Sequence, residues 1–456
     1  MRKAMLVLGV LLVLVVIGAC AAPTPEKVTV KETVVVKETQ IVAGTPQVVT
    51  KVVEQTKVVE ATKVVEKVVE KVVTATPPPA PAEKVTLNTC IGTEPPTFDP
   101  SLATDTTSHW FIQNMFVGLT DFNEKAEVVP ALAKEWKASA DGLKWTFTLR
   151  NDISWVKYNP ASGQVEQIVD KDKKPVIVNA KDVEFAVKRT LNPKTASDYA
   201  YFLYILKGGE AFNSADLKKV SDADLKKLED AVGVKAVDAT TLEFTLEFAA
   251  GYFPAIAGMW PVMPQYAAAV NAGPRWTEPG FLVTSGPYTL REWAHQARVA
   301  IVKNPFWPDA KNIQIEVVQG PIVQSESTCM AMYEKGEIDY MADPGWGIPL
   351  PDMDRVKKDA ALSKQLFIAP RLCTYYYGFV NTKKPFDNPV LRKAFAAAID
   401  RQTLINTLLK GEQKPAHTFA APGIFGNAAD DNTIAPYLLD YKDGLAKAKD
   451  LIKQAG

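Results

Sequence analysis

From Ala21 to about Glu83 the chain contains no aromatic residue, and this divides it into a part that cannot build a core and a part that can. The stretch is rich in valine, lysine and glutamate, with Lys-Val-Val-Glu recurring at 51, 57, 63 and 67. The spacing fits neither a heptad nor a single helical face. Valine with mixed charge and no large side chain leaves little to pack, and "TPPPAPA" at 76–82 is a stiff extended segment. Residues 21–83 are therefore expected to be a tether, about 60 residues long, with a root-mean-square span of roughly 40–45 Å as a flexible coil. A coiled-coil stem is the alternative.

Ahead of this stretch, Met1-Arg2-Lys3 leads into the apolar run "AMLVLGVLLVLVVIGA" and then Cys20. A basic start, an apolar run of this length and small residues at its end predict a signal peptide over 1–20. A spanning helix needs about 20 apolar residues. Ile17-Gly18-Ala19-Cys20 resembles a bacterial lipobox, in which the new N-terminal cysteine carries the lipid. Cys20 is thus the expected lipidation site, holding the chain on the outer face of a membrane.

Residues 84–456 have globular composition and the length of two or three subdomains. Over the whole chain 52 basic and 52 acidic residues cancel, leaving no electrostatic footprint for nucleic acid. Cys90, Cys329 and Cys373 leave at least one thiol unpaired, and His109, His295 and His417 lack metal-ligand spacing. Neither a metal nor another cofactor is expected. There is no Gly-x-Ser-x-Gly elbow, no His-Glu-x-x-His and no phosphate-cradling glycine loop, so an enzyme is not expected.

Strands and helices alternate in type along this region, giving an α/β or α+β class. "KWTFTLR" alternates Trp145, Phe147 and Leu149, and "TLEFTLEF" alternates Leu242, Phe244, Leu246 and Phe248, both as half-buried strands. Helices are expected after Asn179, with Asp182 in the first turn, up to Gly336, and from Asn388-Pro389 to before Gly411. Residues 156–175 read as a loop or hairpin. The tyrosines 375–377 alternate faces if extended, placing Tyr376 opposite Tyr375 and Tyr377. Phenols on both faces suit a place where a ligand meets protein.

The segments "EPPTFDPSLATDT" (94–106), "VPALAKEWKASADGLKWTFTLRNDISW" (129–155) and "VNAKDVEFAVKRTLNPKTASDYAYFLY" (178–204) carry a resemblance. So do "TSGPYTLREW" (284–293), "YEKGEIDYM" (333–341) and the tyrosine stretch itself. In this order they resemble the family 5 extracellular solute-binding proteins of ABC importers, nearest the oligopeptide-binding type. The resemblance implies a bilobed, type II periplasmic-binding-protein-like α/β fold in its three-domain variant. It places domain I at 84–116 and 265–372, domain II at 117–264, and the start of domain III at 373–456. The last resembles only the first part of the family's third domain, so that domain is expected to be incomplete. The match of Cys373 pairs, in the family, with a cysteine of that missing part. The resemblance also implies that Thr104, Asp105 and Thr106 pair with a peptide backbone as an added strand, and that Tyr199 and Tyr376 line the cleft. The expected partners are a peptide or another small solute and ABC permease subunits. Alternatives are an oligosaccharide ligand, or a surface sensory or adhesion module without transport.

Overall fold

The computed structural model describes residues 26–42, 45–61, 85–369, 372–424, 429 and 431–456. The run at 4–19 and the lipidation candidate Cys20 lie outside them. Among the described residues no helix is long and apolar enough to cross a membrane. The chain divides into two units, residues 1–81 and 82–456.

In the first unit, Glu26–Val42 and Thr45–Ala61 are strands of 17 residues each, paired antiparallel from Glu26 opposite Ala61 to Val42 opposite Thr45. Over these residues paired backbone takes the place of the expected flexible coil or coiled-coil stem. Runs of valine and threonine favour extended backbone, and the two runs match without a register shift.

The second unit is built on two four-stranded sheets. One has the order Val234–Ala236, Thr241–Thr245, Lys144–Leu149, Ala133–Ala138, all antiparallel. Its alternation places Trp145, Phe147 and Leu149 in the core. Phe147 lies opposite Leu242, and its ring meets Phe244 edge-on at 5.6 Å. The expected second strand stops at Thr245, so Leu246 is buried but Phe248 is exposed. The other sheet joins Tyr288–Ala294, Arg298–Lys303 and Val317–Pro321 in antiparallel order and ends on Thr86–Asn88, parallel to its neighbour. Residues 156–167 form the hairpin Val156–Asn159 with Gln164–Gln167.

The Ala180–Leu191 helix begins as its sequence predicts. Asn179 and Asp182 close a reciprocal capping box, and Val183, Ala186, Val187 and Leu191 face the core. Ser325 caps Glu326–Glu334, and Gly336 takes a φ of +73° just past its end. The long helix expected after Asn388 is broken. Pro389–Ala397 ends, and the Asp400 carboxylate accepts from Thr403 N–H at 2.9 Å to start Arg401–Leu404, which passes into a π-turn at Ile405–Leu409. Apolar periodicity continues across the break, but the side-chain cap competes with helix continuation.

Cys90 and Cys329 form a disulfide across 239 residues, with Cα atoms 6.1 Å apart, and both are buried against Ile338. Among the described residues Cys373 is the free thiol, and it is exposed.

Candidate ligand site

The Asp-Pro segment at 99–105 is fixed from below before it presents anything to a ligand. The Arg189 guanidinium, in the last turn of its helix, holds the Asp99 carboxylate with two parallel bonds of 2.7 and 2.6 Å. It also donates to Gln265 Oε1 at 2.8 Å, and its flat face lies 5.5 Å from the Trp276 ring centre. Gln265 Nε2 donates to Ser101 Oγ at 2.8 Å. Ser101 Oγ and Thr190 Oγ1 share a further 2.8 Å bond, and Thr190 donates to the Pro261 carbonyl at 3.1 Å. Asp99, Ser101, Thr190 and Gln265 are all buried. A fork-shaped cation matched to a carboxylate fixes orientation as well as charge. This network was not legible in the sequence, since nothing local marks Asp99, Arg189 and Gln265 as partners.

Above the network, two rings take up the backbone carbonyls. Trp260 Nε1 donates to Ala103 O at 2.9 Å, and the Tyr199 hydroxyl donates to Thr104 O at 3.0 Å. Asp105 O accepts from His109 N–H at 3.1 Å. Asp105 is the N-cap of Thr106–Met115, and its Oδ1 accepts from Ser108 N–H at 2.8 Å while Oδ2 is buried without a partner. Among the described residues the N–H groups of Thr104, Asp105 and Thr106 have no acceptor. The segment therefore presents three donors, with the carbonyls of 103–105 each already accepting one bond. Only its first two residues are outside the helix; Thr106 is the first helical residue, not part of an extended strand.

The rings form a continuous row. His109 lies 4.3 Å from Trp260, Trp260 lies 5.7 Å from Tyr199, and Tyr199 meets Phe202 and Tyr201 edge-on. Burial pushes the His109 imidazole below its usual pKa and outweighs the opposing pull of the Asp105 charge, which favours a neutral ring at neutral pH.

Thr104, Asp105, Thr106 and Tyr199 are thus brought together. Tyr376 is not among them. It is 63 % exposed, and its ring packs edge-on against Phe419 at 5.2 Å, while Tyr375 and Tyr377 meet each other at 5.7 Å. The opposite facing of Tyr376 follows from extended backbone, but residues 373–380 pair with no strand.

Residues 127–456 match the family model of bacterial extracellular solute-binding proteins, family 5, middle portion. The chain belongs to this family. Its members bind solutes and are not enzymes. The oligopeptide-binding protein OppA of Bacillus subtilis is 30 % identical over 383 residues, which cover 81 % of this chain and 65 % of that protein. A probable deoxycholate-binding periplasmic protein of Escherichia coli, YgiS, is 29 % identical over 84 % of this chain and 65 % of its own length. The chain thus spans less than two thirds of these relatives. The solved structure of the E. coli murein tripeptide-binding protein MppA superposes with a TM-score of 0.66 at 29 % identity, over 82 % of this chain and 67 % of that one. The fold of this family 5 member is accordingly the bilobed, type II α/β fold of those neighbours.

Proposed function

We propose that this family 5 protein is a lipid-anchored receptor that captures peptides and delivers them to an ABC permease. The observation that carries the reading is the row of unpartnered N–H donors at residues 104–106, fixed by Tyr199 and the Asp99–Arg189 network. Every peptide offers carbonyl oxygens irrespective of its side chains, so donors aimed at a ligand backbone accept many sequences. Capture proceeds by closure of the lobe that begins in the 373–456 segment, with Tyr376 joining the ligand, onto the lobe containing 84–372, in which Tyr199 already holds residue 104. Affinity is reduced by the cost of ordering the closed state. Cys20 carries the lipid, and residues 21–83 hold the receptor off the membrane.

Calorimetry with tri-alanine and with versions carrying a thioamide in place of one amide tests the site. A sulfur accepts hydrogen bonds poorly, so thioamide replacement at the paired carbonyl is expected to weaken binding about tenfold, in keeping with one bond of about 1–1.5 kcal/mol. Equal affinity for all versions refutes donation from residues 104–106. Labelling of the wild type by radioactive fatty acid, but not of Cys20→Ser, tests the anchor, and equal labelling refutes it. A second reading, in which the same donors hold the carboxylate of an apolar acid, is favoured by the resemblance to the deoxycholate-binding relative. Binding of such an acid with none for any peptide decides for it.

A further inference from the structure

The Ala200–Leu203 turn is short and tight, with Ala200 and Leu203 buried beneath it. Hydrogen bonds from Phe202 N–H to Tyr199 O and from Tyr204 N–H to Tyr201 O, each 3.2 Å, fix its backbone. The two residues between the buried ones point away from the core. The Tyr201 ring lies nearly parallel on Phe202, at 4.5 Å and 25°. Tyr199 buttresses both with its ring at 79° to each, while its hydroxyl holds Thr104 O. Tyr201 is thereby held by stacking, yet 53 % of it remains exposed. A rigid ring with an open face beside backbone donors loses little conformational freedom when something stacks on it.

Two carboxylates stand in the segments beside this ring. Asp198 and Asp105 flank Tyr199 and the donor segment. The bases of the neighbouring helix and loop are spent elsewhere: Lys188 on Glu184, Arg189 on Asp99 and Lys194 on Asp222. None of these three bases is left to pair with an acidic ligand residue.

We propose that Tyr201, backed by Phe202 and Tyr199, is a specificity-determining residue forming a subsite for an aromatic side chain of the ligand and against an acidic one. This rests on the reading that the ligand backbone lies along residues 104–106. The stacked pair orients the incoming ring, and the carboxylates repel Asp and Glu in the same place.

The test is calorimetry on the 456-residue chain with tri-alanine and with tripeptides carrying Phe or Glu at each position in turn. Wild type is expected to bind the Phe peptide of one position about fivefold to tenfold more tightly than tri-alanine, and the matching Glu peptide more weakly than tri-alanine. Tyr201→Ala is expected to lose the Phe preference while binding tri-alanine within about twofold of wild type, and Tyr201→Phe to keep it. A Phe preference unchanged in Tyr201→Ala overturns the subsite but leaves peptide capture standing. Binding of no peptide to wild type overturns both.

Discussion

Replacing Arg189 by methionine is expected to be among the most damaging single changes in the protein. Methionine keeps the length and apolar stem of the side chain, so the loss is mainly the guanidinium head. That head makes two bonds to Asp99 and one to Gln265, with Asp99 almost fully buried. Removing it leaves a carboxylate in the interior with only the Ser101 N–H donating to it, at 2.9 Å. Breaking a buried pair in this way typically costs about 3–5 kcal/mol, against a total domain stability of about 5–15 kcal/mol. Most of the cost is the stranded charge rather than the lost attraction, and this gives the reasoning its sharpest check. Asp99→Asn combined with Arg189→Met is expected to be no less stable than Arg189→Met alone, a clear departure from additivity. Urea titration followed by tryptophan fluorescence measures Arg189→Met, Asp99→Asn and the double variant. A loss under about 1 kcal/mol in Arg189→Met, or additive losses in the double variant, refutes the account of the network.

Three further outcomes follow from separate features. Burial raises the Asp182 carboxyl from 3.8 to about 6, so its contribution to stability is present below about pH 4 and is lost as pH rises through about 6. Asp182→Asn, which keeps an acceptor for Asn179 and Trp155, is expected to gain up to about 3 kcal/mol on wild type between those limits, and a pH-independent difference refutes this. Replacing both Cys90 and Cys329 by serine is expected to cost about 3–5 kcal/mol because the bridge closes a long loop, with an unchanged melting temperature as the contrary result. Phe395, Ile399, Leu404 and Leu408 are exposed, so limited proteolysis of the chain is expected to cut within 373–456 well before 117–264. Equal resistance of the two segments counts against it.

Local grammar carried much of the fold. The Asn179 cap with Asp182 in the first turn, the Asn388-Pro389 start and the alternation of Trp145, Phe147 and Leu149 depend on neighbours within a few residues, and each is found where the pattern places it. The misreadings have the same physical form. At Phe248 and across 398–400 the apolar pattern runs on, but a polar group ends the element. Glu247 N–H is taken by the Ile205 carbonyl and its carboxylate by Gly208 N–H, while Asp400 caps a new helix. Periodicity reports which face is apolar and is silent on which backbone group a side chain has claimed.

The site divides along the same line. Resemblance gave Tyr199 and residues 104–106 each a place at the ligand cleft, because both stand in recognisable segments. What Tyr199 does there depends on a bond across 95 residues, to a carbonyl rather than to a ligand. With the Tyr199 hydroxyl on Thr104 O and the Trp260 indole on Ala103 O, each carbonyl has one lone pair engaged, while the N–H groups of 104–106 have no acceptor among the described residues. On the proposed function the segment acts as a donor row that selects a ligand by its oxygens. On the same proposal the remaining selectivity falls to Tyr201: Tyr199 is held by its hydroxyl and Trp260 by its indole N–H, whereas Tyr201 is held by stacking and stays half exposed.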